Sequence, residues 1–102
     1  MKIAFKMKLK PGCEAEYKSR HDQIWPELVT VLKENGISDY SIFLDEETNT
    51  LFAVQQQDGN SSQELGSTKI VQKWWSYMSD IMETNPDQSP KSFPLELVFH
   101  LD

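Results

Sequence analysis

A tyrosine and a histidine four residues apart are the first candidates for chemistry in this chain. On a helix, Tyr17 and His21 would lie one turn apart on the same face, with about 5–6 Å between their Cβ atoms. Apolar residues continue that face at spacings of three and four, at Ile24, Leu28 and Val31. This pattern is typical of a buried helix face. An imidazole there costs free energy unless it is hydrogen-bonded. His21 is therefore either a satisfied core histidine or, with an ordinary pKa near 6.5, a proton carrier.

Aromatic and polar residues elsewhere in the chain could complete a site around this histidine. They are Tyr40, Trp74 and Trp75, with Asn85 and Asp87 in a proline-containing stretch as an additional pocket. Tryptophan faces are apolar platforms for a sugar ring or another flat ligand, and tyrosine, asparagine and aspartate supply hydrogen bonds. Because the residues come from separate elements, they could equally be packing residues of a core.

Other kinds of catalytic site find little support in the sequence. There is no glycine-rich phosphate loop, and nothing marks a base or an oxyanion hole for a serine nucleophile. Two histidines 79 positions apart and one cysteine give no ligand spacing for a metal. The sequence therefore predicts proton transfer without a cofactor or a metal.

The hydrophobic pattern predicts the elements that must position these residues. Strands are expected at Ile3–Leu9, Ser38–Asp45, Thr50–Gln57 and Leu95–Leu101, and helices at Cys13–Asn35 and from Ser67 or Thr68 to Met82 or Glu83. Pro26 should kink or break the first helix near residues 23–25, and Gly36 should cap its end. Residues 58–66 are expected to be a loop or a weak helical turn, and Thr84–Pro94 an ordered loop or a flexible flap.

The order strand, helix, strand, strand, helix, strand is the ferredoxin-like pattern. We therefore predict one α+β domain over residues 1–102, with a four-stranded antiparallel sheet and helices on one face. A second copy of the chain is the simplest cover for the other face.

Composition limits the partners. The chain has 102 residues, of which 38% are hydrophobic and 25% charged, and a net charge of −6. We expect a single soluble domain that binds neither nucleic acid nor an anionic membrane, because both attract basic proteins. The N-terminus lacks the apolar run of a signal peptide, and the lone Cys13 suits a reducing compartment.

Several separated motifs resemble the L-rhamnose mutarotase family, from one end of the chain to the other. They are Tyr17 with Arg20-His21, Ile24-Trp25-Pro26-Glu27-Leu28, Tyr40-Ser41-Ile42-Phe43-Leu44-Asp45, Trp74-Trp75 with Tyr77-Met78 and Asp80-Ile81-Met82, and Asn85-Pro86-Asp87 with Ser89-Pro90. Each motif is weak by itself, but their order, spacing and the chain length agree.

The resemblance implies a ferredoxin-like subunit that forms a homodimer with a barrel-like α/β assembly. It implies interconversion of the α and β anomers of L-rhamnose in the cytoplasm, without a cofactor. The family's acid/base histidine falls on His21, and its substrate-contacting positions fall on Tyr17, Tyr40, Trp74 and Trp75.

Anomers interconvert when the sugar ring opens to the aldehyde, the C1–C2 bond rotates, and the ring closes again. We expect His21 to protonate the ring oxygen on opening and to act as the base on closure; the second proton carrier is Tyr17, Tyr40, a loop carboxylate or water. Two alternatives remain open at this stage. One is a cofactor-free or haem-linked monooxygenase of the dimeric α/β-barrel type, and the other is a non-catalytic sugar-binding module.

Overall fold

This computed structural model describes residues 1–58 and 65–102, and within these residues the chain forms seven elements. They are β1 (Lys2–Lys8), α1 (Glu14–Asp22), α2 (Pro26–Glu34), β2 (Ile37–Asp45), β3 (Thr50–Gln57), α3 (Lys69–Met78) and β4 (Ser92–Leu95). The predicted loop at residues 58–66 lies mostly outside the described residues, since 59–64 are not among them. The predicted ferredoxin-like order of elements is confirmed.

The break at Pro26 is complete, so the first predicted helix is two helices. Trp25, which precedes the proline, is extended (φ −65°, ψ 128°), and Pro26 occupies the first turn of α2. A proline disfavours helical backbone in the residue before it, but its fixed φ suits the start of a helix. Gly36 follows α2 in the left-handed conformation (φ +80°), as predicted for a residue that ends a helix.

The four strands form one antiparallel sheet in the order β2-β3-β1-β4. Alternation along the strands divides the side chains between two faces. Phe5 and Met7 of β1 and Leu51 and Ala53 of β3 are buried. Together with buried residues of the helices, Tyr17, Leu28, Val71, Trp74, Trp75 and Met78, they form one hydrophobic core. The core therefore lies between the sheet and the helices, where the sequence predicted it.

The third helix is shorter than predicted, because the chain after it joins the sheet region. α3 ends at Met78 rather than at Met82 or Glu83. The Ile81 carbonyl then accepts a hydrogen bond from the Lys10 N–H, and the Glu83 N–H donates to the Lys8 carbonyl. These backbone bonds require extended chain, so the helix cannot continue. The buried positions Ile81 and Met82 still contribute to the core.

The last strand is the main correction to the prediction. β4 covers Ser92–Leu95, not Leu95–Leu101, and it includes Pro94 of the stretch predicted as a loop. Leu95 pairs with Ala4, and β1 begins at Lys2, so only two more residues could pair with it. Residues 98–101 lie beyond the start of β1 and so cannot continue this pairing. The apolar side chains Leu97, Val98, Phe99 and Leu101 are exposed.

No helix in the described parts of the chain is long and apolar enough to cross a membrane.

Candidate functional site

A cavity of about 850 Å³ lies between the helices and the helix-facing side of the sheet. Its volume falls within the range of small-molecule sites in proteins. Five side chains predicted as site residues line it: Tyr17, His21, Tyr40, Trp74 and Trp75. Three elements, α1, β2 and α3, thus bring together residues that are up to 58 positions apart in the sequence. Their roles in catalysis and binding stay predictions.

His21 stands in the wall of this cavity between two other aromatic rings. The centroid of its ring is 4.3 Å from that of Tyr17 and 5.4 Å from that of Trp74, and the Trp74 contact is edge-to-face. The Tyr17 contact arises from the helical spacing of four that the sequence analysis used. Such close packing fixes the orientation of the imidazole in the wall.

The two ring nitrogens of His21 have different surroundings. Nδ1 lies 3.1 Å from the backbone carbonyl of Tyr17. Since a carbonyl only accepts hydrogen bonds, Nδ1 carries the hydrogen in the neutral ring. Nε2 has no hydrogen-bond partner among residues 1–58 and 65–102. The unprotonated Nε2 is therefore the atom of the neutral ring that can exchange a proton with a ligand.

Burial sets the protonation of Tyr17 and His21 on α1. It lowers the pKa of His21, and the hydrogen bond to Tyr17 and the nearby Asp22 only partly offset that effect. Burial, with a smaller contribution from Tyr40, raises the pKa of Tyr17 far above that of a free phenol. At neutral pH His21 is accordingly a neutral imidazole, and Tyr17 keeps its hydroxyl proton.

A bulge in the edge strand β2 directs Tyr40 toward the cavity. The pairing of β2 with β3 is regular at Ser38↔Gln56 and at Ser41↔Val54, so two residues of β2 oppose one residue of β3 between these points. Asp39, the first of the two, has a left-handed backbone (φ +47°). Ile37 before the bulge and Tyr40 after it both pack in or against the core although they are three residues apart, which a regular strand with a side-chain period of two does not allow. Bulges of this kind re-aim side chains next to functional sites.

Trp74 and Trp75 form one wall from α3, and each has only 8% of its surface exposed. A second aromatic layer supports Trp74. Trp25 packs edge-to-face on Trp74 with ring centroids 5.1 Å apart, and Tyr77 stacks on Trp25 at 5.5 Å. Both tryptophans thus belong to the core and to the cavity wall at once, so the two interpretations of the sequence do not exclude each other.

The loop after α3 does not reach the cavity with its polar side chains. Asn85 and Asp87 are exposed and are absent from the residues that line it, although Pro90 is present. Instead they bond to Ser89: Asn85 Nδ2 donates to the Ser89 hydroxyl, and Asp87 accepts from the Ser89 N–H and hydroxyl. These hydrogen bonds lower the pKa of Asp87. The additional pocket at this loop stays a prediction.

Charged residues around the cavity were not singled out from the sequence. They are Glu14, Lys18, Asp22, Lys33, Asp39 and Glu46. A signal for three of them was available, because Glu14, Lys18 and Asp22 recur at intervals of four on the helix that carries Tyr17 and His21. Lys18 and Asp22 form an exposed ion pair (2.9 Å). Within the described residues, no group of three histidine, cysteine or acidic side chains is placed to hold a metal ion.

The arrangement can exchange a proton at His21 Nε2 while aromatic faces hold an apolar ligand surface. Comparisons with known proteins agree with this chemistry. The sequence model of the L-rhamnose mutarotase family matches residues 2–101. An L-rhamnose mutarotase of Bacteroides thetaiotaomicron is 65% identical over 100 residues, which cover 97% of this chain and 96% of that protein. One of Formosa agariphila is 59% identical over 102 residues, 99% of this chain and 98% of that protein.

A solved structure extends the similarity to three dimensions. The crystal structure of L-rhamnose mutarotase from Formosa agariphila superposes with a TM-score of 0.94 at 57% identity, and covers 100% of this chain and 99% of that one. Since the family match spans nearly the whole chain and the fold agrees, this protein belongs to the L-rhamnose mutarotase family.

Proposed function

We propose that this chain interconverts the α and β anomers of L-rhamnose, as an isomerase that acts on the anomeric carbon in the cytoplasm. One observation supports this most directly. His21 lies in the wall of an aromatic cavity with Nδ1 bonded to the Tyr17 carbonyl and Nε2 without a hydrogen-bond partner among residues 1–58 and 65–102. Ring opening needs one proton removed from the C1 hydroxyl and one delivered to the ring oxygen. A histidine with a single available nitrogen can carry out one of these transfers.

The neutral resting state of His21 determines which transfer it performs first. Burial lowers its pKa, so Nε2 carries a lone pair at neutral pH. In ring opening, His21 therefore takes the proton of the C1 hydroxyl, and in closure it returns a proton to that oxygen. The sequence prediction gave it the acid's part in opening instead. A positioned acid or base contributes about 10²–10⁴-fold to a rate.

The second proton carrier serves the ring oxygen. Tyr17 keeps its hydroxyl proton, because burial raises its pKa, so it orients the sugar by hydrogen bonding and is a poor donor of that proton. Tyr40, or a water molecule held at the charged rim, is better suited to the transfer. Tyr40 lines the same cavity as His21.

The tryptophans select the sugar. Trp74 and Trp75 offer the C5 methyl and the C–H face of the ring an apolar surface. L-Mannose carries a hydroxymethyl group where L-rhamnose has this methyl group. Discrimination between the two groups in an apolar pocket is worth about 1–3 kcal/mol.

The exposed face of the sheet supports a homodimer as the working form. Lys6 pairs with Phe93 and Ala4 with Leu95, so both apolar residues lie on the face away from the helices. Phe43 is 63% exposed and pairs with Phe52, which is also exposed. The apolar residues after β4 are exposed as well, and contiguous exposed apolar surface is typical of protein–protein contacts. A second copy of the chain packed on it would give the barrel-like α/β dimer.

Anomer exchange measured with two sugars tests the proposed activity. Proton NMR magnetisation transfer between the two anomeric signals is recorded for L-rhamnose and for L-mannose, with and without protein. We expect exchange of L-rhamnose well above the rate in buffer, and weaker acceleration for L-mannose. Exchange of L-rhamnose at the buffer rate, together with binding of the sugar, would instead indicate a sugar-binding module.

Sedimentation tests the dimer separately. Wild type should sediment as a dimer, and Phe43→Lys should shift it toward the monomer because it places a charge in the apolar face. A Glu47→Lys variant places the same lysine in the exposed turn after β2, with an even larger change of charge (two units instead of one), and should leave the dimer intact. A monomeric wild type would refute this part of the proposal.

A further inference from the structure

Arg20 lies next to His21 on α1, but its side chain points away from the cavity. Only a tenth of that side chain is exposed. Nη1 donates to the Tyr77 carbonyl (2.6 Å) and to Asp80 Oδ1 (2.8 Å), and Nη2 donates to Asp80 Oδ2 (3.2 Å). Nε donates to Glu16 Oε2 (2.7 Å). The guanidinium thus binds Glu16 of its own helix, the Tyr77 carbonyl in the last turn of α3, and Asp80 just after α3.

These contacts are the polar connection between the two helices that carry the site. In the part of the chain that the structure describes, no other side-chain hydrogen bond joins α1 to α3 or to the turn after it. α1 ends at Asp22, one residue beyond His21, and the chain is not helical again until Pro26. The end of α1 that carries His21 therefore depends on contacts such as those of Arg20.

An aromatic path continues from Arg20 to His21. The Arg20 guanidinium carbon lies 4.4 Å from the centroid of the Tyr77 ring. Tyr77 packs on Trp74 (5.7 Å), and Trp74 packs edge-to-face on His21 (5.4 Å). Arg20 is therefore connected to both ends of this path. It directly precedes His21 in the chain, and its guanidinium packs on the Tyr77 ring, which contacts Trp74.

We propose that Arg20 is a positioning residue, which clamps α1 to the end of α3 and so fixes the His21 ring against Trp74 at the cavity. This inference rests on the proposed anomer exchange. A two-pronged bond to a carboxylate suits that role, because the guanidinium fork fixes an orientation that a lysine ammonium does not. Asp80 is itself about two-thirds exposed, and such an ion pair adds little stability. The clamp should therefore affect activity more than folding.

Two carboxylates around Arg20 provide a matched comparison. Asp80→Ala removes the partner on the α3 side, whereas Glu16→Ala removes the partner on α1 itself. Both change one acidic residue into alanine and both remove one Arg20 ion pair. Arg20→Met removes all the polar contacts, and Arg20→Lys keeps the charge but loses the fork.

The rate of anomer exchange and the NMR signals of the His21 ring are measured for each variant. We expect Asp80→Ala and Arg20→Met to lower kcat/KM for L-rhamnose about tenfold to hundredfold, the cost of a small misplacement of catalytic groups. Their His21 ring protons should also shift, because the ring moves relative to Trp74. Glu16→Ala should stay within about twofold of wild type, with unchanged His21 signals, and Arg20→Lys should recover only part of the loss.

The outcomes separate this inference from the proposed function. If wild type does not accelerate anomer exchange, the proposed function fails, while the His21 signals still test the clamp. If wild type is active and Asp80→Ala changes neither kcat/KM nor the His21 signals, the inference is overturned. Equal losses in Glu16→Ala and Asp80→Ala would overturn it too. If Arg20→Met fails to fold, the Asp80→Ala variant still tests the inference, because Asp80 is largely exposed and its replacement should not prevent folding.

Discussion

The left-handed backbone of Asp39 makes the stability of the fold depend on the type of side chain at position 39, in the bulge that orients Tyr40. Its φ of +47° is tolerated by aspartate, asparagine and glycine, but it is unfavourable for a β-branched residue. Left-handed backbone costs an L-residue about 1–2 kcal/mol. The strand cannot avoid this cost by slipping one residue, because Tyr40, Ile42 and Leu44 would then leave the core side.

We therefore expect Asp39→Val to lower the free energy of unfolding by about 1–2 kcal/mol. For a chain of this size, each kcal/mol of lost stability lowers Tm by about 4–8 °C. Asp39→Gly should lie near wild type, because relief of the strain is offset by the extra freedom of glycine in the unfolded chain, about 0.5–1 kcal/mol. Asp39→Asn should also be close to wild type.

Urea unfolding at one fixed protomer concentration measures these differences, since a dimer would make stability depend on concentration. Ser41→Val is the matched control: Ser41 lies on the same strand, is exposed, and has a negative φ. Valine suits such a strand position, so this variant should not lose stability. Asp39→Val as stable as wild type, or Asp39→Gly as unstable as Asp39→Val, would refute the reasoning.

Two further predictions follow from burial and from the helix end. Because burial lowers the pKa of His21, kcat/KM should fall only as the pH drops through a midpoint below 6.5, the ordinary value; a midpoint above 6.5 in a pH–rate profile would contradict it. The free energy of unfolding should also fall as the pH drops through that range. The unfolded chain, in which His21 has its ordinary pKa, binds the proton more readily than the folded chain does. Gly36→Ala should lower the free energy of unfolding by at least about 1–2 kcal/mol, because φ is +80° and the new Cβ would lie 2.9 Å from the Asp58 carbonyl oxygen. Thermal unfolding beside a Gly12→Ala variant, which has the same left-handed φ but open space around the Cβ, isolates the effect of the contact.

Local patterns in the sequence were enough to predict the elements that carry the site. The spacing of Tyr17 and His21 places both rings on one helix face, and the structure brings those rings to 4.3 Å. The effect of Pro26 on its preceding residue is also local, so the helix break could be located. The alternation of apolar and polar residues in β3 was regular enough that the predicted strand, Thr50–Gln57, has the same first and last residues as the observed one.

Features that depend on distant parts of the chain were not predictable in the same way. The start of β1, its partner in the sheet, limits how far β4 can extend, and a period of two in residues 95–101 cannot reveal where that partner begins. The bulge at Asp39 is defined by the pairs on either side of it, Ser38↔Gln56 and Ser41↔Val54, and only an aspartate within a strand pattern hinted at it. The clamp of Arg20 joins residues 60 positions apart, and nothing local marks Asp80 as its partner.

Replacing the ring of His21 tests its role in proton transfer most directly. Magnetisation transfer between the α and β signals of L-rhamnose should be compared for wild type, His21→Ala and Lys33→Ala, a control that removes another residue of the cavity rim. We predict that His21→Ala loses about 10²–10⁴-fold in exchange rate while its circular dichroism stays that of a folded protein, and that Lys33→Ala keeps most of its activity. A folded His21→Ala variant that exchanges the anomers as fast as wild type would contradict the assignment of the proton transfer to this residue.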